Sequence, residues 1–148
     1  MIDFAKVRVK RPKEYNELME KLKNIGPFDG LKDIMVFAAC LGVSKKRKNS
    51  FKETSEPMRL SIFNGDYDKM VINTIAIKET SDPFIMANEK IQERIEIFEQ
   101  YACGGLEIIS NRLNSSKHLS IDETLIDIVL AERGDSNVLD EITALADL

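Results

Sequence analysis

The sequence predicts a mainly α fold, a compact multi-helix domain preceded by a short extended arm. Two observations carry the prediction. Apolar residues recur at three- and four-residue spacing through most of the chain, and the breaks between these runs are Gly, Pro, Ser and Asp clusters that end or begin helices. In addition, 43% of the 148 residues are hydrophobic, enough for one core and too many for a chain disordered throughout.

Phe4 to Val9 come first, with Ala5, Val7 and Val9 alternating against Lys6, Arg8 and Lys10, which reads as a short strand or arm. If this arm paired with a second copy, the arrangement would be ribbon-helix-helix-like. Pro12 sits where a helix can begin, since its missing N–H has no helical partner there anyway. Tyr15, Leu18, Met19, Leu22 and Ile25 follow at helical spacing until Gly26-Pro27. Leu31 to Val43 is apolar nearly all round, as in a helix buried on most faces. Ser44 to Ser50 is then the most basic loop of the chain.

Met58 to Phe63 reads as a short extended piece, and Asn64-Gly65-Asp66 as a turn that caps the next helix, with Phe63 and Tyr67 anchoring it in the core. Tyr67 to Lys78 is rich in β-branched residues, but the run exceeds usual strand length, so helix is favoured. Pro83 starts a long amphipathic helix from about Phe84 to Ala102, which Gly104-Gly105 ends. A further helix is expected over Leu106 to Leu113. Ser120 with Glu123 forms a capping box opening a helix through Ile121, Leu125, Ile128 and Val129, and Val138, Ile142 and Leu145 mark a last short one. The expected organisation is a helical core domain over 1–114, carrying the basic arm and loop, and an acidic helical extension over 115–148 packed on or beside it.

Composition excludes several classes. No apolar run approaches the roughly 20 residues that span a bilayer, and no secretory signal opens the chain, so a cytoplasmic location without membrane partners is expected. Cys40 and Cys103 fit no metal spacing. Catalytic chemistry is also poorly supplied. The single histidine, His118, stands in a polar connector, Cys40 reads as a small core residue, and Cys103 reads as the cysteine that could be exposed. Gly104-Gly105 lacks the other elements of a phosphate-binding loop. Glu89, Glu93, Glu96 and Glu99 have helical spacing but no histidine ligands, and Lys90 and Arg94 are interleaved, so they read as a solvated face with ion pairs. No catalytic residue, metal site or cofactor is expected.

Charge is more informative. The formal net charge of -4 combines 14 basic and 8 acidic residues up to Arg59 with 7 basic and 17 acidic residues beyond it. A basic end is a potential nucleic-acid footprint. Arg8, Lys10 and Arg11, with Lys13, lie in or after the arm, and Lys45, Lys46, Arg47, Lys48 and Lys52 lie in the loop. Brought to one side they would form a phosphate-binding patch; kept apart they are two solvated segments, and charge alone favours neither. Aromatic residues are sparse there, which points to duplex backbone contact rather than base stacking.

Three stretches carry a resemblance. Asp33 to Gly42, Ile62 to Asp68 leading into Asn73 to Pro83, and Ile97 to Leu106 resemble, in order, the Dnd system-associated protein 4 family, over roughly Val7 to Ser110. Such proteins are encoded with bacterial DNA phosphorothioation and its linked restriction systems. Phe63-Asn64-Gly65-Asp66-Tyr67 is also similar to a turn in DndE, a small helical DNA-binding protein of the modification machinery. The resemblance implies a non-enzymatic accessory protein of a phosphorothioation-linked defence system, acting on duplex DNA or on a protein of that complex and assembling as a homo-oligomer. The competing expectation is a protein-interaction module that docks through its acidic C-terminal helices without binding DNA.

Overall fold

The computed structural model describes residues 2–132, and the helix expected around Val138, Ile142 and Leu145 lies outside them. The fold is mainly helical: α1 (Asn16–Ile25), α2 (Leu31–Ser44), α3 (Asp66–Thr80), α4 (Ile91–Ser115) and α5 (Ile121–Glu132), with a two-stranded antiparallel ribbon of β1 (Arg8–Val9) and β2 (Met58–Arg59). Arg8 pairs with Arg59 and Val9 with Met58, so the arm finds its strand partner within the same chain. Pro12 is extended, with ψ 129°, and bridges Thr54; helical turns begin directly after it, a 3-10 turn over Lys13–Tyr15 leading into α1. Buried Val7 and Val9 seal the ribbon onto the core.

α2 and α4 form the central pair. Ile34, Met35, Ala38 and Ala39 of α2 are buried together with Ile95, Phe98, Ala102, Leu106 and Ile109 of α4. Phe63 meets Phe98 edge to face, with ring centroids 5.8 Å apart, and anchors the turn before α3 as expected. Tyr67 does not, being 61% exposed. α3 forms despite its β-branched residues because Val71, Ile72, Ile75 and Ala76 fall on one buried stripe. Asp66 and Asp68 sit at its positive end, and Ser81 closes it in the left-handed region with φ 53°.

Gly104 and Gly105 lie inside α4, not at its end. They mark the place where two backbones touch. A Cβ on Gly105 would stand 1.8 Å from the Ala38 carbonyl oxygen of α2, one on Gly104 2.0 Å from that of Arg47, and one on Gly42 2.1 Å from that of Tyr101. The expected helices on either side of Gly104-Gly105 are therefore one, 25 residues long. At its other end α4 starts later than expected. Pro83–Met86 and Asn88–Lys90 are single 3-10 turns separated by Ala87 at ψ 145°, an extended conformation that redirects the chain.

α5 follows a short turn, and its opening is tied by the Glu123 N–H donating to Ser120 Oγ at 3.1 Å. Leu125 and Ile128 join the common core, and Asp127 pairs with Arg112 of α4. Among the described residues, no helix is long and apolar enough to cross a membrane.

Candidate nucleic-acid interface

The arm and the second half of the basic loop run side by side. The Lys13 N–H donates to the Glu53 carbonyl at 3.0 Å, and the Ser55 N–H to that of Arg11 at 3.1 Å. Arg8 and Lys10 consequently share a depression of about 290 Å³ with Ser50, Phe51, Glu96 and Glu99. Lys13 and Lys52 share the adjoining one, about 530 Å³, in which Ser50 and Phe51 also take part. Four cations are thus gathered around Phe51, with Glu14, Glu53 and Glu96 interspersed.

The candidate residues divide by what they already hold. Arg11 is 6% exposed and turned inward, its Nε donating to the Glu56 carbonyl at 3.1 Å and its Nη1 to Asn16 Oδ1 at 2.5 Å. Its work is to hold the arm against the chain. Lys45 pairs with Glu132 of α5 at 2.6 Å, Arg47 with Glu107 of α4 at 3.4 Å, and Lys48 with Glu79 of α3 at 2.5 Å. Lys48 also stands 6.0 Å from the Tyr101 ring centroid, and the Tyr101 hydroxyl donates to the same Glu79. The Lys48 ammonium and this hydroxyl keep the Glu79 carboxyl below its usual range, while burial and Glu79 push the Tyr101 phenol up to about 12.

The 45–48 segment therefore works as a clasp joining the end of α2 to three other helices, with much of its charge compensated. Lys46 is the exception. It is exposed at the crest of the turn with φ 56°, and it forms no ion pair among the described residues.

Glu99 was expected on a solvated face, yet it is 8% exposed, on the side of α4 that meets the arm. Its carboxylate accepts the Lys10 backbone N–H at 2.5 Å. Burial pushes the carboxyl up to about 7, against the opposing pull of that hydrogen bond and of the Lys10 charge. The interleaved Arg94 is also buried, whereas Lys90 and Glu93 do form the expected surface ion pair at 3.1 Å. Both buried residues were legible in principle, because Ile91, Arg94, Ile95, Phe98 and Glu99 continue one helical stripe.

Cys40 does not take the core place expected of it. Cys40 is exposed and Cys103 is buried, where desolvation raises its thiol to about 11 and keeps it protonated at neutral pH. His118 is exposed in the turn between α4 and α5. Among the described residues, no group of three His, Cys, Asp or Glu side chains is placed to hold a metal ion.

The family model described as DNA sulphur modification system-associated protein 4 matches residues 8–147. The chain belongs to this family. The match extends beyond the Val7 to Ser110 stretch expected from motifs and takes in the C-terminal part of the chain as well as the helical core. The family's description places it in association with a DNA sulphur modification system. No curated protein and no solved structure matches the chain.

Proposed function

We infer that this chain is a non-enzymatic accessory protein of a DNA sulphur modification-linked defence system, and that it contacts the phosphate backbone of duplex DNA through the face around Phe51. The observation that carries the reading is the antiparallel run of arm and loop, which sets Arg8, Lys10, Lys13 and Lys52 side by side. Lys45, Arg47 and Lys48 contribute less, since each would have to leave a carboxylate to meet a phosphate. Cations without such partners gain more from releasing the counterions of DNA.

Anisotropy titration of a labelled duplex at about 50 and 200 mM salt tests this. Binding should weaken steeply with salt. The triple variant Lys10→Gln, Lys13→Gln, Lys52→Gln should bind more weakly, with a salt slope flatter by about 0.9 for each phosphate it no longer neutralises. Lys48→Gln should change the slope less. No binding at low salt, or a triple variant indistinguishable from the parent, would overturn the DNA-binding reading.

A second reading rests on α5. Ile126 and Val129 are 52% and 39% exposed and border an apolar groove of about 490 Å³ with Phe28 and Phe37. This acidic helix is the surface on which a protein of the same system would dock. Ile126→Asp is expected to abolish co-purification with a neighbouring protein of the system while leaving thermal unfolding within about 0.5 kcal/mol of the parent. Undiminished co-purification would dismiss α5 as the docking face.

A further inference from the structure

The 3-10 turns Phe4–Lys6 and Leu60–Ile62 face α3 and α4 across a cleft of about 510 Å³. Its walls are mostly apolar, formed by Phe4, Leu60, Phe63, Ile72 and Ile91. One group is out of keeping with them. Arg94 lines the cleft and is 5% exposed. Its Nη1 donates to the backbone carbonyls of Ile85 at 2.7 Å and Ala87 at 2.9 Å, whereas its buried Nε has no acceptor. Among the described residues, no carboxylate forms an ion pair with it.

A buried cation without a counter-charge is costly, and two neutral carbonyls compensate only part of the lost hydration. The position makes the imbalance larger, because Arg94 lies near the N-terminal end of α4, where the helix dipole is itself positive. Lys69 at the lining adds a second positive charge. The cleft thus combines a local excess of positive charge at Arg94 and Lys69 with apolar walls, and its volume falls within the range of small-ligand sites, about 300–1,000 Å³.

We propose that this cleft binds a small monocarboxylic acid with an apolar body, the carboxylate pairing with Arg94 and the body lying against Phe63, Ile72 and Ile91. The anion supplies the missing counter-charge of the guanidinium, and the apolar body is removed from water. The site lies apart from the Phe51 face and does not depend on the DNA reading.

Calorimetric titration of the full chain with octanoate, octan-1-ol and octylamine, read together with amide NMR shifts, tests the assignment. Octanoate should bind saturably and shift the amides of Leu60 to Phe63 and Ile91. The alcohol, of equal chain length but uncharged, should bind about ten-fold or more weakly, and the amine should not bind. Arg94→Met should remove the preference for the acid. Because Arg94 also holds the turn at Ile85 and Ala87, Ser61→Trp provides an independent variant that blocks the cleft from an exposed position; it should lose octanoate binding while unfolding as the parent does. Equal affinities for acid and alcohol, no saturable binding, or octanoate binding unchanged in Ser61→Trp would overturn the proposal.

Discussion

Replacing Gly105 by alanine is expected to destabilise the fold by about 2–3 kcal/mol, lowering the thermal midpoint by about 5–10 °C. Two effects compete. Alanine is the better helix former by about 1 kcal/mol, which alone would make the variant more stable. Against this, the new Cβ would stand 1.8 Å from the Ala38 carbonyl oxygen, a backbone atom that moves only if α2 and α4 separate. Separation loosens the buried seam formed by Ala38 and Ala39 with Ala102 and Leu106, so the steric term prevails. Gly30→Ala is the matched control, since a Cβ there meets nothing within 4 Å and its cost should stay within about 1 kcal/mol. Urea and thermal unfolding followed by circular dichroism distinguish the two. A Gly105→Ala protein as stable as the parent would contradict the close approach of the helices.

Glu99→Gln is expected to stabilise the protein at pH 8 by about 2–3 kcal/mol and to have little effect near pH 5. The folded carboxyl titrates at about 7 against an ordinary value of 4.5. The native state therefore holds this proton more tightly than the unfolded chain does, and stability falls as pH rises from about 4.5 to about 7. Above pH 7 the full penalty of a buried charge is present. Glutamine keeps an oxygen to accept the Lys10 N–H and never ionises, so it removes the penalty without breaking the link between arm and α4. Urea unfolding of both proteins at the two pH values measures the difference. A stability gap that does not change with pH would show that Glu99 is not the group responsible.

The helices are largely legible in the sequence, and Gly104-Gly105 shows where local signals mislead. A glycine pair usually marks a stop, and taken alone it divides α4 in two. The stripe Ile95, Phe98, Ala102, Leu106 and Ile109 nevertheless keeps its three- and four-residue spacing across the pair, which signals one continuous helix. The same stripe carries the signal for Arg94 and Glu99, which charge alone assigns to solvent. For Cys40 and Cys103 there is no comparable guide. α2 is apolar nearly all round, so its periodicity does not say which side faces out, and only its packing against α4 leaves Cys40 exposed.

The candidate interface is half visible. Clustered basic residues are plain in a sequence, but their partners are not: the carboxylates that meet Lys45, Arg47 and Lys48 lie in α5, α4 and α3, and Glu99 is 89 residues from the Lys10 N–H it binds. By itself the sequence determined the helical class, the basic arm and loop, and the ordered motifs that place the chain in its family, because periodicity, turn chemistry and local charge depend on neighbours along the chain. Only the tertiary structure decided which cations keep an uncompensated charge, which glycines are points of contact and which ionisable groups are buried. Those properties depend on the side chains and backbone that other helices bring within a few ångströms, and on the water they displace.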